Sequence, residues 1–198
     1  MLHSFLAHLT TLGDSGFLAA LTFFCALYLY LTDNKRAAFL LCAALLSCMG
    51  IMGLLKIYFL NCHQHYPTWN LKSPSGHAAM SAAIYGTLAA LLAKKLASPL
   101  REAAILGAIL LILTIAVSRI LLGHHSQAEV LVGLAVGTSI AFTSTFFLRP
   151  LSNVSFRTRH LALIGMGALI LLYGTHAPAE ILIRKIAQIV YRAFPFCS

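Results

Sequence analysis

The chain has 198 residues, of which 60% are hydrophobic and only 10% are charged. A soluble domain of this length needs far more charge to cover its surface, so the composition excludes a soluble globular protein and indicates an integral membrane protein. The formal net charge is +9, but the basic residues mostly fall between apolar runs and form no stripe interleaved with aromatic residues, which argues against nucleic acid as a partner.

The N-terminal segment 1–16 contains no Lys or Arg and therefore lacks the charged start of a secretory signal. We expect this segment to stay in the mature protein. Its apolar residues Leu2, Phe5, Leu6 and Leu9 favour a short helix that lies in the membrane interface.

Six apolar stretches approach the length of about 20 residues that a helix needs to cross the hydrocarbon core. Helices satisfy their own backbone hydrogen bonds in lipid, so these stretches predict an all-α fold, a six-transmembrane-helix bundle. The connections are short and show no repeat, which predicts one domain over residues 1–198. The predicted spans are 15–32, 38–60, 77–93, 102–122, 128–148 and 160–174.

The C-terminal segment 178–194 alternates apolar and charged residues at helical spacing. This pattern predicts an amphipathic helix that either lies in the interface or packs along the bundle.

Lys and Arg residues in the short loops predict the orientation of the bundle. Eight of them follow spans one, three and five, whereas six lie on the opposite side and three of those six belong to the C-terminal tail. An excess of positive charge marks the cytoplasmic side, so the loop 61–76, the turn GHHSQA and both termini are expected to face outward.

Five cysteines show no metal-ligand spacing. Cys25, Cys42 and Cys48 lie within apolar runs and are interpreted as small buried hydrophobic residues. Cys62 and Cys197 both lie on the outward side, where they either form a disulfide or remain two free thiols.

Ionisable residues are costly in a membrane and usually mark function. In this chain they gather at the outward ends of spans two to five, where one pocket is able to collect them. The residues are Lys56, His63, His65, Lys72, His77, Arg119, His124, His125 and Glu129.

The segment KSPSGH (72–77) leads into an apolar helix. Amide groups at such a helix start, here at Ser75 and Gly76, are well placed to bind an anion, with His77 in the first turn beside it. The plainer interpretation is an ordinary serine cap followed by a tolerated histidine.

The segment SRILLGHHSQAEV (118–130) places Arg119 just before the end of a span. The planar guanidinium of Arg119 suits phosphate oxygens. His125 and Glu129 lie four residues apart on one helix face, where the carboxylate is able to fix the tautomer of the imidazole. A structural Arg–Glu pair with exposed histidines is the alternative.

SPSGH (73–77) and SRILLGHHSQAE (118–129) resemble the second and third motifs of the type 2 phosphatidic acid phosphatase (PAP2) superfamily, and Lys56 matches the start of its first motif. The resemblance covers residues 56–133. The chain departs from the family where His63-Gln64 replaces Arg-Pro and where Glu129 replaces Asp. If His63 must be charged to replace the arginine, activity is expected to rise at mildly acidic pH.

The resemblance implies a metal-independent, cofactor-free lipid phosphatase. His125 attacks phosphorus to form a phosphohistidine, Glu129 stabilises the imidazolium, and His77 protonates the leaving alcohol. The phosphate-binding residues are Lys56, Arg119, Ser75 and Gly76, with His63 and Lys72 as further candidates.

The implied substrate is a phosphorylated membrane lipid within the bilayer. Phosphatidate, phosphatidylglycerophosphate, an isoprenyl (pyro)phosphate and a lipid A phosphate all fit. Small size and the habit of the family imply a bacterial plasma (inner) membrane, with the site facing the periplasm. The sequence gives no indication of an oligomeric state.

Four alternatives stay open at this point. A lipid phosphotransferase would use the same residues, and a non-catalytic transport or lipid-binding relative is favoured only by the missing Arg-Pro. A vanadate-dependent peroxidase uses a similar pocket, but six spans argue against it. A metal site is weakly supported, because no carboxylate or cysteine pattern accompanies the histidines at 63, 65, 124 and 125.

Overall fold

A computed structural model describes residues 2–62, 71–151, 156–172 and 179–193. All regular structure within these ranges is helical, which confirms the all-α prediction. A 3₁₀ turn, Thr11–Gly13, follows the first helix. The helices are α1 (Leu2–Thr10), α2 (Ser15–Leu31), α3 (Lys35–Cys62), α4 (Gly76–Ala93), α5 (Ser98–Leu121), α6 (Gln127–Leu148), α7 (Thr158–Leu172) and α8 (Ala179–Ala193).

Four of these helices, α3 to α6, are long and apolar enough to cross a membrane. Residues Leu6–Gly13 and α2 together form a fifth candidate span that is bent by 49°. Helix α7 has only 15 residues, which is short of the length that the hydrocarbon core requires. The described residues thus contain four or five candidate spans, and the predicted count of six is not confirmed.

Local sequence signals explain where the helices next to the site begin. Asp14 caps α2, because its Oδ1 accepts a hydrogen bond of 2.8 Å from the amide of Gly16. Ser126 and Glu129 form a capping box at the start of α6, in which each side chain accepts from the backbone amide of the other. These caps fix the N-terminal ends of two helices whose first residues face the same cavity.

Helices α4 and α6 cross at very short range through small residues. A Cβ atom at Gly133 would clash with the carbonyl oxygen of Ser75, and one at Gly137 would clash with that of Ala79. Gly133 and Gly137 lie one turn apart on the same face, a spacing that allows helix backbones to approach closely in membranes. This crossing holds the N-terminal ends of α4 and α6 side by side.

The terminal helices pack on the bundle. Helix α1 packs against α5, and α8 packs against the end of α3. The side-chain amide of Asn61 donates a hydrogen bond of 3.3 Å to the carbonyl oxygen of Ala187 in α8. Of the two placements expected for the C-terminal helix, the structure shows packing along the bundle, and a position in the membrane interface stays a prediction for both terminal helices.

The cysteines occupy two kinds of environment. Cys25, Cys42 and Cys48 are free thiols, and Cys25 and Cys48 are buried in the core between α2, α3 and α4. Cys62, at the end of α3, is disulfide-bonded. Cys197 lies outside the described residues, so its pairing with Cys62, one of the two alternatives left open by the sequence, stays a hypothesis.

Candidate active site

The C-terminal ends of α3 and α5 and the N-terminal ends of α4 and α6 surround a cavity of about 620 Å³. Most of the residues singled out in the sequence line this cavity, although they come from four helices and two connections. His63 and His65 lie outside the described residues. The predicted residues on the cavity wall are Lys56, Lys72, Gly76, His77, Arg119, His124, His125 and Glu129.

The turn between α5 and α6 delivers His125 to the cavity. Gly123 adopts a φ of +68°, a left-handed conformation that ends α5 and that glycine adopts without strain. The amides of His124 and His125 then donate to the carbonyl oxygen of Arg119 at 3.1 and 3.2 Å. The capped start of α6 follows directly, so the backbone on both sides of His125 is fixed.

Glu129 links this turn to the segment that precedes α4. Its Oε1 accepts hydrogen bonds from the amides of Lys72 and Ser73, at 2.8 and 2.7 Å. Its Oε2 accepts from the amide of Ser126 at 3.1 Å and lies 2.9 Å from Nδ1 of His125. The carboxylate is therefore held by both motif segments, and its orientation toward His125 is fixed before any substrate arrives.

The contact with Glu129 sets the tautomer of His125. A carboxylate accepts, so Nδ1 of His125 carries the proton and Nε2 keeps its lone pair. Burial lowers the pKa of His125 below its ordinary value, while the bond to Glu129 opposes that shift. A neutral imidazole with one free nitrogen is the form required of a nucleophile or a general base.

The start of α4 forms a second wall of the cavity. The hydroxyl of Ser75 accepts from the amide of Ala78 at 3.5 Å and caps the helix. Ser75 is fully buried, so the structure gives it a capping role and places it behind the cavity wall. Gly76 and His77 occupy the first turn, where amide groups have no acceptor within the helix.

Two cations flank this helix start, Lys56, which is buried, and Arg119, which is partly buried. Lys56 is 6% exposed, and a Cβ atom at Gly76 would lie 3.9 Å from its Nζ. The guanidinium of Arg119 donates from Nη1 to the hydroxyl of Thr10 at 3.3 Å. The positive end of the α4 dipole and these two cations together favour an anion in the cavity.

Sequence reasoning missed the contribution of the N-terminal segment. A Cβ atom at Gly13 would lie 3.4 Å from Cδ2 of His77, so the 3₁₀ turn packs directly on that imidazole. Tyr85 ties the same turn to α4, because its hydroxyl donates to the carbonyl oxygen of Leu12 at 2.8 Å. Asp14 lines the cavity. No motif marks these residues, and only the packing of α1 and α2 brings them to the site.

Arg184 and Ile183, from α8, were also missed as cavity residues. The only sequence signal was the amphipathic pattern of the helix. That pattern predicts one packed face but does not say where along the bundle the face docks.

Among the described residues, no group of three or more His, Cys, Asp or Glu side chains has the arrangement to hold a metal ion. His125 and Glu129 instead contact each other, and Glu129 also accepts from backbone amides.

The comparison with known families decides the relationship. The model of the PAP2 superfamily matches residues 37–152, which is more than half of the chain. The chain belongs to the PAP2 superfamily. The match covers α3 to α6, the helices that carry most of the cavity wall.

A curated relative of this PAP2 chain is described as an uncharacterized 22.5 kDa protein in the cps region of Klebsiella pneumoniae. It is 32% identical over 122 residues, which cover 59% of this chain and 57% of the relative. No solved structure gives a significant match.

Proposed function

We propose that this PAP2 chain removes phosphate from a membrane lipid through a phosphohistidine on His125. The observation that supports this most is the 2.9 Å contact between Nδ1 of His125 and Glu129, which leaves Nε2 free beside a cationic cavity. A structural ion pair alone would not require a neutral, partly buried histidine next to Lys56 and Arg119.

An apolar wall supports a lipid substrate. Met49, Met52 and Met80 line the cavity together with the charged residues. Met49 is 47% exposed and belongs to α3, which is a candidate span, so this side of the cavity opens toward the hydrocarbon region. A lipid is therefore able to keep its tails in the bilayer while its phosphate reaches the cations.

In the first chemical step, Nε2 of His125 attacks phosphorus while the bond from phosphorus to the lipid oxygen breaks. His77 gives a proton to the departing oxygen, and Glu129 stabilises the positive charge that develops on the imidazole of His125. Lys56, Arg119 and the amide of Gly76 balance the charge on the nonbridging oxygens. Lys72 and His63 stay proposed as further phosphate contacts.

In the second step, water attacks phosphorus and the phosphorus–nitrogen bond breaks. His77, now neutral, accepts the proton of the attacking water, so it returns to the protonated form in which it began. Inorganic phosphate leaves, and His125 regains its free Nε2. Each proton and each bond is accounted for by these two histidines and one water molecule.

Orientation rests on the distribution of basic residues. The end of the bundle opposite the cavity carries Lys94, whose Nζ donates to the carbonyl oxygens of Arg149 and Leu151 at 3.2 and 3.0 Å. Loops rich in Lys and Arg favour the cytoplasmic side. We therefore place the active site at the outer face of a bacterial plasma membrane.

Phosphate release by detergent-purified protein tests this function. The substrates are a panel of lipid phosphates, assayed with EDTA. We expect release by the wild type and none by His125→Ala. His160→Ala is the matched control, because His160 contacts the hydroxyl of Tyr28, 3.1 Å away, at the other end of the bundle. Release that disappears with EDTA, or that persists in His125→Ala, would overturn the proposal.

A lipid phosphotransferase would use the same first step and pass the phosphoryl group to another alcohol. Adding a lipid acceptor to the same assay separates the two activities. Transfer to the acceptor without release of phosphate would replace hydrolysis as the function. Neither release nor transfer would favour a non-catalytic lipid-binding role.

A further inference from the structure

Helix α8 brings a fourth guanidinium or ammonium group to the wall of the cavity. Arg184 and Ile183 line the cavity, whereas the other cations there come from α3, α5 and the segment before α4. The hydrogen bond from Asn61 to the carbonyl oxygen of Ala187 fixes α8 one turn further along. Ala187 is only 3% exposed, so the face of α8 next to Arg184 is packed against the bundle.

Arg184 differs from the other basic residues of α8 in the direction it faces. At 100° per residue, Arg184 lies about 60° around the helix from the packed residue Ala187. Lys185 lies about 160° away from Ala187 and faces out of the bundle. Both side chains are exposed, but of the two only Arg184 lines the cavity.

The charge balance of the cavity fits a doubly charged phosphate. Four permanent cations line it, namely Lys56, Lys72, Arg119 and Arg184, against two carboxylates. One of these carboxylates, Glu129, already accepts from His125 and from three amides. The Lys, Arg and carboxylate side chains alone give the wall a net charge of +2, and this net charge would be only +1 without Arg184.

We propose that Arg184 is a specificity-determining residue that binds the nonbridging oxygens of the substrate phosphate at the mouth of the cavity. Helix α8 is then part of the active site as well as a packed surface helix. The chain has His63-Gln64 where the first PAP2 motif has Arg-Pro, so it lacks the arginine of that motif. Arg184 supplies a guanidinium from a different part of the chain. The substrate named in this inference rests on the proposed phosphatase function, whereas the binding of phosphate by Arg184 does not.

Binding of inorganic phosphate, measured by calorimetry on the detergent-purified protein, tests the inference independently of turnover. We expect Arg184→Ala to weaken binding about 10- to 100-fold, the effect of losing a hydrogen-bonded charge. Arg184→Lys should recover part of this loss, since it keeps the charge but not the two-pronged geometry. Lys185→Ala is the matched control and should bind like the wild type.

Kinetics on a lipid phosphate then provide the second readout. Arg184→Ala should raise KM about 10-fold or more with a smaller effect on kcat, because the contact forms before the chemical step. Equal phosphate affinity in Arg184→Ala and Lys185→Ala would overturn the inference, even if the wild type hydrolyses lipids normally. A wild type that binds phosphate through Arg184 but releases none would leave the inference standing and overturn the proposed hydrolysis instead.

Discussion

The guanidinium of Arg119 donates a hydrogen bond to the hydroxyl of Thr10 at 3.3 Å, across 109 positions of the sequence. This contact joins the end of α5 to the N-terminal helix and orients a cation that lines the cavity. An arginine with one nitrogen held in this way loses less conformational freedom when it binds phosphate. The N-terminal segment is therefore expected to influence substrate affinity without touching the substrate.

Thr10→Val removes this orienting contact and preserves the shape of the side chain. We expect kcat/KM for a lipid phosphate to fall about 2- to 10-fold, the range for one hydrogen bond of ordinary strength. Thr143→Val is the matched control, because the hydroxyl of Thr143 donates within its own helix to Ser139. Equal losses in the two variants would contradict the role assigned to Thr10.

Glu129→Asp restores the residue expected from the PAP2 motif, yet we expect it to be harmful in this chain. The shorter side chain is unable to reach Nδ1 of His125 and the amides of Lys72 and Ser73 together, and losing a hydrogen bond to a carboxylate costs about 1.5–3 kcal/mol. The expected loss of kcat/KM is about 10- to 100-fold. Glu102→Asp serves as the control, since Glu102 contacts Ser98 in an exposed part of α5. Wild-type activity in Glu129→Asp would show that the glutamate is not required to bridge the two segments.

The pH dependence of kcat/KM follows from the pKa of His125. Burial lowers that pKa, so His125 remains neutral at pH values where an ordinary histidine, with a pKa of about 6.5, becomes protonated. Because attack requires the neutral form, activity should be maintained down to below pH ~6.5 and fall only under more acidic conditions. Glu129 raises the pKa of His125, so the residual activity of Glu129→Gln should fall at a still lower pH.

Initial rates measured over a pH series for the wild type and Glu129→Gln check whether the activity of the variant falls at the lower pH. An acid limb above pH ~7 in the wild type would contradict the neutral nucleophile. A His63→Arg variant separates the other expected effect of acid. If His63 acts in its charged form, the wild-type rate should rise on acidification at pH values above the acid limb. The rate of the His63→Arg variant should show no such rise.

Substitution of Gly137 tests the close crossing of α4 and α6, which holds the N-terminal ends of these two helices side by side at the site. A methyl group at this position would clash with the carbonyl oxygen of Ala79, so Gly137→Ala should force α6 away from α4. Overpacking of this kind costs about 1–3 kcal/mol, and we expect a lower Tm together with a loss of activity. Gly107→Ala is the matched control, since a Cβ atom there meets nothing within 4 Å. A Tm unchanged by Gly137→Ala would contradict the close approach of the helices.

Sequence reasoning located the helices, and it identified the end of the bundle at which the ionisable residues gather. Both predictions depend on local patterns in the sequence. Apolar runs give the spans to within a few residues, as in α6, which was predicted over 128–148 and is observed over Gln127–Leu148. His125 and Glu129 were placed together because four residues make one helical turn. Spacing along one helix is enough for such a pair.

The rest depends on contacts between distant parts of the chain. Thr10 and Gly13 have no motif, and their positions beside Arg119 and His77 follow from the bend between α1 and α2. Arg184 reaches the cavity only because α8 docks on the end of α3. Helix α7 has 15 residues, Thr158–Leu172, within the described ranges, so the sixth span stays a prediction.

Covalent labelling is the measurement that tests the central role of His125 most directly. Detergent-purified protein is mixed with a lipid that carries a ³²P-labelled phosphate and is quenched in base, which preserves phosphohistidine. We predict label on the wild type and on His124→Ala, no label on His125→Ala, and loss of the label in acid. Label that persists on His125→Ala, or hydrolysis by the wild type with no labelled protein at any quench time, would contradict attack by His125.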